Sequence, residues 1–358
     1  MKNLYFKIYL SLFFVFLITS IINAQTFEEV AGTPFDVASR GSTAFSDIDN
    51  DGDQDVLITG QNESWDRIAK LYNNDGGAFT EVAGSPFEGV QHGSIAFSDI
   101  NNDGYQDVLI TGENSSGQRI AKLYTNDGGT GAFTEVAGTP FEGVYLGSIA
   151  FSDIDNDGDQ DVLITGENSS RQRIAKLYTN DGTGTFTEVA GTPFDGVYYS
   201  SIAFSDIDND EDQDVLITGQ NSSNKRIAKL YTNDGTGAFT LVADTPFEGV
   251  SMSSIAFSDI DNDEDQDVLI TGLNSLNKRI AKLYTNDGET FTKVASTPFY
   301  AVYISSIAFS DIDNDGNQDV LITGYDFSKS IAKLYTNDGT GAFTEVTGTP
   351  FDGVHWVP

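Results

Sequence analysis

Near-verbatim repetition constrains this chain more than any other feature. Ser98-Asp99-Ile100 returns as Ser152-Asp153-Ile154, and the same acidic start recurs at Asp206, Asp259 and Asp311, with Asp47 opening the first copy. Successive starts lie 52 to 54 residues apart. Periods of this length belong to arrays, solenoids and propellers, in which one supersecondary unit buries its apolar face against the next.

Each copy holds four strand-like runs. In the third they are Ile149-Ala150-Phe151, Val162-Leu163-Ile164-Thr165, Arg173 to Tyr178 and Phe186-Thr187-Glu188-Val189, with Gly166, Asn180-Asp181-Gly182 and Gly191-Thr192-Pro193 as punctuation. The first two runs are continuously apolar, the third admits Lys176, and the fourth alternates. That gradient suits buried inner strands and a half-solvated outer one. Four short strands per repeat predict an all-β chain: a β-propeller of four-stranded blades. A β-solenoid is the alternative, although its coils use shorter periods. Six full repeats carry the first three runs. The fourth run occurs a seventh time at Phe27-Glu28-Glu29-Val30, and Pro350 to Trp356 reads as the approach to another inner strand. The expectation is six blades, with an incomplete seventh as the alternative.

Bulk composition narrows the function classes. Hydrophobic residues make up 39%, enough for a sizeable core. Against 54 acidic residues stand 19 basic ones, net −35, which disfavours nucleic acid as a partner because that needs clustered Lys and Arg. The absence of cysteine excludes disulfides, thiolate chemistry, Cys-ligated zinc and a lipidated Cys anchor. Lys2 and Lys7 followed by the apolar run Ile8 to Ile22 read as a secretory signal ending near Ala24. The run is short for a membrane span, which needs about 20 apolar residues, although an uncleaved anchor is the competing reading. The expected organisation is a signal peptide over 1–24 and a single propeller domain over 25–358, secreted or at the cell surface, with no transmembrane segment after cleavage.

The acidic loop carries the chemistry. In Asp153-Ile154-Asp155-Asn156-Asp157-Gly158-Asp159-Gln160-Asp161, side-chain oxygens stand at loop positions 1, 3, 5 and 9, and position 7 can add its backbone carbonyl. Calcium takes six to eight hard oxygens in a flexible shell, and the first half of an EF-hand loop uses the same alternation. No Glu follows at position 12 and no helix flanks the loop, so this is a hairpin connection between the first two strands and not an EF-hand. Solvated acidic turns are the bland alternative; six copies at a fixed period argue for metal. The candidate ligands are Asp47, Asp49, Asp51, Asp53 and Asp55; Asp99, Asn101, Asp103, Tyr105 and Asp107; Asp153, Asp155, Asp157, Asp159 and Asp161; Asp206, Asp208, Asp210, Asp212 and Asp214; Asp259, Asp261, Asp263, Asp265 and Asp267; and Asp311, Asp313, Asp315, Asn317 and Asp319. Up to six Ca2+ follow. Copies one, three and six keep Gly at position 6. Asn101 removes a charge from the second, and Glu211 and Glu264 replace Gly in the fourth and fifth, where a left-handed backbone costs a non-Gly residue about 1–2 kcal/mol.

The repeat resembles the FG-GAP/VCBS family of integrin-α-like propeller repeats. The resemblance rests on Asp153-x-Asp155-x-Asp157-Gly158-x-x-Asp161, on Val162-Leu163-Ile164-Thr165-Gly166, and on Leu177-Tyr178-Thr179-Asn180-Asp181-Gly182 through Phe186-Thr187-Glu188-Val189, and it spans roughly residues 26 to 354. It implies calcium between the first two strands of each blade. It also implies an extracellular role in adhesion, in ligand or carbohydrate binding, or as an appendage to an enzyme. The family's usual count is seven blades, against six repeats here.

Positions that escape the repetition are candidates for specificity. Just before each inner strand the pair changes: Ser39-Arg40, Gln91-His92, Tyr145-Leu146, Tyr198-Tyr199, Ser251-Met252, Tyr303-Ile304 and His355-Trp356. Arg40, His92, Tyr145, Tyr198, Tyr199, Met252, Tyr303 and Trp356 form a candidate ligand rim at one mouth of the channel, since Tyr and Trp bury large area at low entropic cost. Unconstrained variation is the alternative. A second variable stretch joins strands two and three, at Glu63-Ser64-Trp65-Asp66, Ser169-Ser170-Arg171 and Phe327-Ser328-Lys329, and reads as a solvated hairpin loop carrying Asn-x-Ser sequons at Asn62, Asn114, Asn168 and Asn221. With two histidines and no G-x-S-x-G or H-E-x-x-H motif, the chain reads as a binding module for a protein or glycan ligand and not as an enzyme. A lectin-like propeller is the alternative, and a carbohydrate-active lyase or hydrolase a more distant one.

Overall fold

The computed structural model describes residues 27–353 except 129, 130 and 289. The signal-peptide expectation over 1–24 and the rim residue Trp356 therefore lie outside the described residues. Among the described residues all regular structure is β. In the third repeat the strands are Ile149–Ser152, Asp161–Asn168, Arg173–Asn180 and Phe186–Glu188, a meander of antiparallel neighbours. Every repeat builds the same four-stranded blade, and the six blades make a propeller.

The first hairpin sets the ends of the molecule. Its register pairs Ser152 with Asp161 at the acidic loop and Tyr145 with Glu167 at the opposite end. The acidic loops therefore gather at one end of the blades. The rim pairs and the loops between strands two and three gather at the other.

Blades adhere through the apolar faces that the sequence pattern makes two-sided. Leu163 and Leu177 of the third blade pack with Val215, Ile217 and Tyr231 of the fourth. Equivalent clusters join blades one to two, two to three, four to five and five to six. Backbone bridges stitch the same junctions: Val144 pairs with Asn168 of its own blade and with Ile120 of the preceding one.

Each blade also carries an aromatic triad. Phe141 meets Tyr178 edge-on at 5.0 Å and Phe186 at 4.9 Å, while the Tyr178 hydroxyl accepts the backbone N–H of Glu142. Phe27 and Phe351 repeat the Phe–Phe half of this triad at 5.0 Å and 60°, so the two ends of the described chain meet as the start of a seventh position. At that seam the faces are less covered. Phe45 of the first blade is 58% exposed, and Leu321 and Ile312 of the sixth are half-buried where their counterparts Leu163 and Ile154 are fully buried.

The inner strand comes in two forms. In blades one to three it is broken at Gly41, Gly93 and Gly147; a Cβ on Gly147 would stand 1.8 Å from the Thr165 carbonyl oxygen. In blades four to six serine holds this position, the strand runs on through a bulge, and Ser200, Ser253 and Ser305 hydrogen-bond Thr165, Thr218 and Thr271 of the preceding blade.

Burial differences make a stability prediction. Leu163→Ala, at a closed junction, costs about 2–5 kcal/mol. Leu321→Ala, at the seam, costs roughly half of that or less, because less apolar area leaves water there. Urea unfolding of the two variants in parallel checks it; equal losses would contradict the seam.

Candidate metal centres and the rim

Each acidic loop is wound around its own carboxylates. The first aspartate accepts the N–H of position 6: Asp47 from Gly52 at 3.0 Å, Asp153 from Gly158 at 3.0 Å, Asp311 from Gly316 at 3.0 Å. The third carboxylate, at position 5, accepts the N–H of position 7, as Asp51 does from Asp53 at 2.9 Å. Position 9 is buried in all six blades. Asp161 takes the N–H of Ile154 on Oδ2 at 3.1 Å and that of Asn180 on Oδ1 at 2.7 Å, pinning the loop to the third strand.

What remains is position 3. Oδ1 of Asp49, Asp155, Asp261 and Asp313 is buried without a hydrogen bond, as is Oδ1 of Asp153. A buried carboxylate oxygen left unpaired is costly. Burial and the adjacent aspartates together raise the pKa values of Asp155, Asp208, Asp261 and Asp313. At position 9 burial outweighs the two backbone donors and pushes Asp161, Asp214 and Asp267 up to about 7 and Asp107 to about 6. A divalent cation would reverse every one of these penalties.

Ligand oxygens converge within 4.8 Å of one another in five loops: Asp47, Asp49 and Asp55; Asp153, Asp155 and Asp161; Asp206, Asp208 and Asp210; Asp259, Asp261 and Asp263; Asp311, Asp313 and Asp315. These all-oxygen, multiply charged sets can hold a metal ion and fit a hard one. The second loop forms no such group among the described residues. Its Asn101 supplies no carboxylate at position 3; the amide donates to Asp103 at 3.0 Å and Oδ1 accepts the Asp103 N–H at 3.1 Å.

Position 7 has a different occupation. Asp159, Asp212, Asp265 and Asn317 accept the side-chain amides of Asn102, Asn156, Asn209 and Asn262 from the preceding loop at 2.6–3.0 Å. Asp53 instead takes the N–H of Gly76, and where Tyr105 removes the carboxylate, Asn50 bonds the Gly104 carbonyl. Position 7 therefore has its backbone carbonyl to offer an ion, while its side chain ties loop to loop. The asparagines at position 4 were absent from the sequence-derived site. Their signal was their recurrence in all six copies with a left-handed backbone demand, which the structure meets at φ 57–60°.

At the other end, the rim pairs divide. Arg40, His92, Leu146, Tyr199, Met252 and Ile304 line a central cavity of about 710 Å³. Tyr145, Tyr198 and Tyr303 are not among its lining residues. Tyr145 lies under the Arg119 guanidinium at 4.0 Å, Tyr198 under Arg173 at 4.1 Å, and Tyr303 stacks on Phe327 at 4.8 Å. Leu146 and Ile304 join the lining set although their side chains gave no chemical signal. All six lining residues adopt φ of 49–55°. The backbone runs from blade to blade through them: His92 N–H to Arg40 O, Leu146 to His92 and Tyr199 to Leu146, at 2.6–2.7 Å. Burial, aided by Arg40 and Arg67, lowers His92 to about 4, so its ring is neutral at pH 7.

A model of the FG-GAP-like repeat matches residues 47–110, 99–164, 153–217, 206–270 and 259–322, more than three quarters of the chain. The chain belongs to the FG-GAP-like repeat family. No curated protein matches its sequence. Among solved structures it is similar to that of YjhT, with 12% identity, 87% of this chain and 98% of the other covered, and a TM-score of 0.50. AofleA from Arthrobotrys oligospora follows at 13% identity, 90% and 92% coverage and 0.49. The Aleuria aurantia lectin in complex with alpha-methyl-L-fucoside gives 10%, 88% and 98%, and 0.48. At these identities the likeness is one of fold.

Within the FG-GAP-like repeats, the substituted loops are informative. Glu211 and Glu264 hold φ of 73° and 75°, the left-handed turn expected of position 6. A Cβ at the equivalent Gly52, Gly104, Gly158 or Gly316 meets nothing within 4 Å, so glutamate costs backbone energy alone, and both loops keep a carboxylate group. The sharper defect is Asn101. Asn101→Asp should add one equivalent to the calcium stoichiometry measured by isothermal titration; an unchanged count would refute the assignment of position 3 as the deciding ligand.

Proposed function

We propose that this chain is exported and acts outside the cell, or at its surface, as a calcium-stiffened binding propeller that receives a protein or glycan ligand at the rim-lined mouth. The calcium half of the reading is supported by the unpaired position-3 oxygens and by the all-oxygen character of five loops. Flexible loops with many carboxylates suit calcium better than the small, rigid shell of magnesium. The export half is supported by Lys2, Lys7 and the apolar run that follows.

One observation carries the binding half. Six successive rim residues sit in the left-handed region, none of them is glycine, and the six are chemically different. Each costs about 1–2 kcal/mol relative to glycine, and the β-branched Ile304 is the least suited of all. Glycine does occur at the adjacent position, in Gly41, Gly93 and Gly147, so repetition alone would have supplied it. Strain of this kind held at a concave mouth is the mark of side chains kept for contact, and the cavity volume is in the range of ligand sites.

Tyr199→Gly separates contact from folding, because it removes the ring and relaxes the backbone together. A glycan array and a cell-surface pull-down, each run in calcium and in chelator, would identify the ligand. Tyr199→Gly should then weaken binding roughly tenfold or more with little change in thermal midpoint. Undiminished binding by Tyr199→Gly and His92→Gly would sink the rim as the binding face.

A further inference from the structure

Cations are scarce in this chain, and most of those among the described residues are spoken for. Lys70, Lys122, Lys176, Lys229, Lys282 and Lys333, one per third strand, each pair with a carboxylate. Arg67 and Arg119 pair with Glu113 and Glu167 of the next blade. Arg173 and Arg226 bond Asn224 and Asn277 at 2.8 Å.

Five exposed cations stand outside this pattern: Lys293 on the outer strand of the fifth blade, and four that share one place in the fold. Arg171, Lys225, Lys278 and Lys329 are exposed on the loops between strands two and three, one on each of blades three to six. No ion pair forms at any of them among the described residues, in a chain of net charge −35. They stand at the end of the blades opposite the acidic loops, where more than half of the 54 acidic residues are gathered. Negative charge is therefore concentrated at the loop end, while the tips of blades three to six carry cations and the first-blade tip carries Glu63 and Asp66.

The same tips carry three of the large apolar side chains that are exposed among the described residues. Leu276 is 71% exposed beside Lys278, Phe327 is 53% exposed beside Lys329, and Trp65 is 73% exposed on the first blade. The turn itself holds a tip residue in the left-handed region, with φ of 67° at Trp65, 61° at Arg171, 59° at Asn224, 56° at Asn277 and 70° at Phe327. Exposed aromatic groups on strained loop tips mark contact surfaces.

We infer that the loops between strands two and three form a second binding surface, for an anionic polysaccharide bearing sulfate or carboxylate groups. One cation per blade on successive blades spans too far for a small anion and suits a repeating one. The apolar tips between the charges suit the C–H faces of sugar rings, as Trp and Phe platforms do. Nucleic acid, the other repeating polyanion, meets the same overall charge, and the poly-dT arm of the test below separates the two. This surface adjoins the rim pairs, with Phe327 against Tyr303 at 4.8 Å, but none of its four cations lines the cavity.

The test uses the full-length chain in calcium buffer with dextran sulfate, polygalacturonate, neutral dextran and single-stranded poly-dT as probes, followed by biolayer interferometry across a salt series. Dextran sulfate or polygalacturonate should bind, more weakly as salt rises, with neutral dextran inert; which of the two binds names the acid group. The charge-reversed variant R171E/K225E/K278E/K329E should lose at least roughly tenfold in affinity at an unchanged thermal midpoint, since all four side chains are exposed, while Tyr199→Gly should bind these probes normally. No binding to either acidic polysaccharide, wild-type affinity in the reversed variant, or poly-dT bound as tightly as the polysaccharides would each overturn the assignment.

Discussion

A buried carboxylate with two backbone donors organises every blade. Asp161 receives the N–H of Ile154 in its own loop and the N–H of Asn180 at the end of the third strand. The Asn180 side chain then donates to the carbonyl of Ile100, in the loop of the preceding blade, at 2.7 Å. The same relay runs through Asn126, Asn233, Asn286 and Asn337. Loop, strand and neighbouring loop are thus one hydrogen-bonded unit. The arrangement concentrates negative charge where burial already opposes it, so the loop end of the propeller is electrostatically poised for cations.

Much of this was legible in the sequence because repetition converts weak local signals into strong ones. One copy of Val162-Leu163-Ile164-Thr165 is an ambiguous apolar run; six copies between the same turns define an inner strand. The carboxylates at positions 1, 3, 5 and 9 were legible for the same reason, and the left-handed backbone at Glu211 and Glu264 followed from their place in the loop. The blade count was legible as six full repeats with a remnant, and Phe27 against Phe351 is that remnant.

Other features escaped because they depend on which blade a side chain faces. The sequence cannot show that Asp159 points to Asn102 of the preceding loop, since its own loop supplies an equally good chemical role. Nor can it separate Tyr198 from Tyr199: the strand bulges with a left-handed backbone at Tyr199, so one ring lies under Arg173 while the other, 4.6 Å away, belongs to a residue that lines the cavity. Leu146 and Ile304 were invisible as site residues because their side chains carry no chemical signature. Only their shared backbone conformation places them with Arg40 and His92.

Scaffold and specificity are therefore divided between the two ends. At the loop end, the side chains at positions 1, 5 and 9 repeat with the loop hydrogen bonds they accept, and position 3 repeats with an oxygen left unpaired. At the mouth and on the loop tips, side chains vary while the backbone beneath them is held fixed. The claim on which this division rests is that cations stiffen the loop end. Thermal unfolding of the full-length chain in millimolar calcium and in chelator tests it most directly. Binding to the native state alone adds about 2.7 kcal/mol per site at a hundredfold excess over Kd, so the account predicts a midpoint several degrees higher in calcium. Identical midpoints in the two conditions would contradict it.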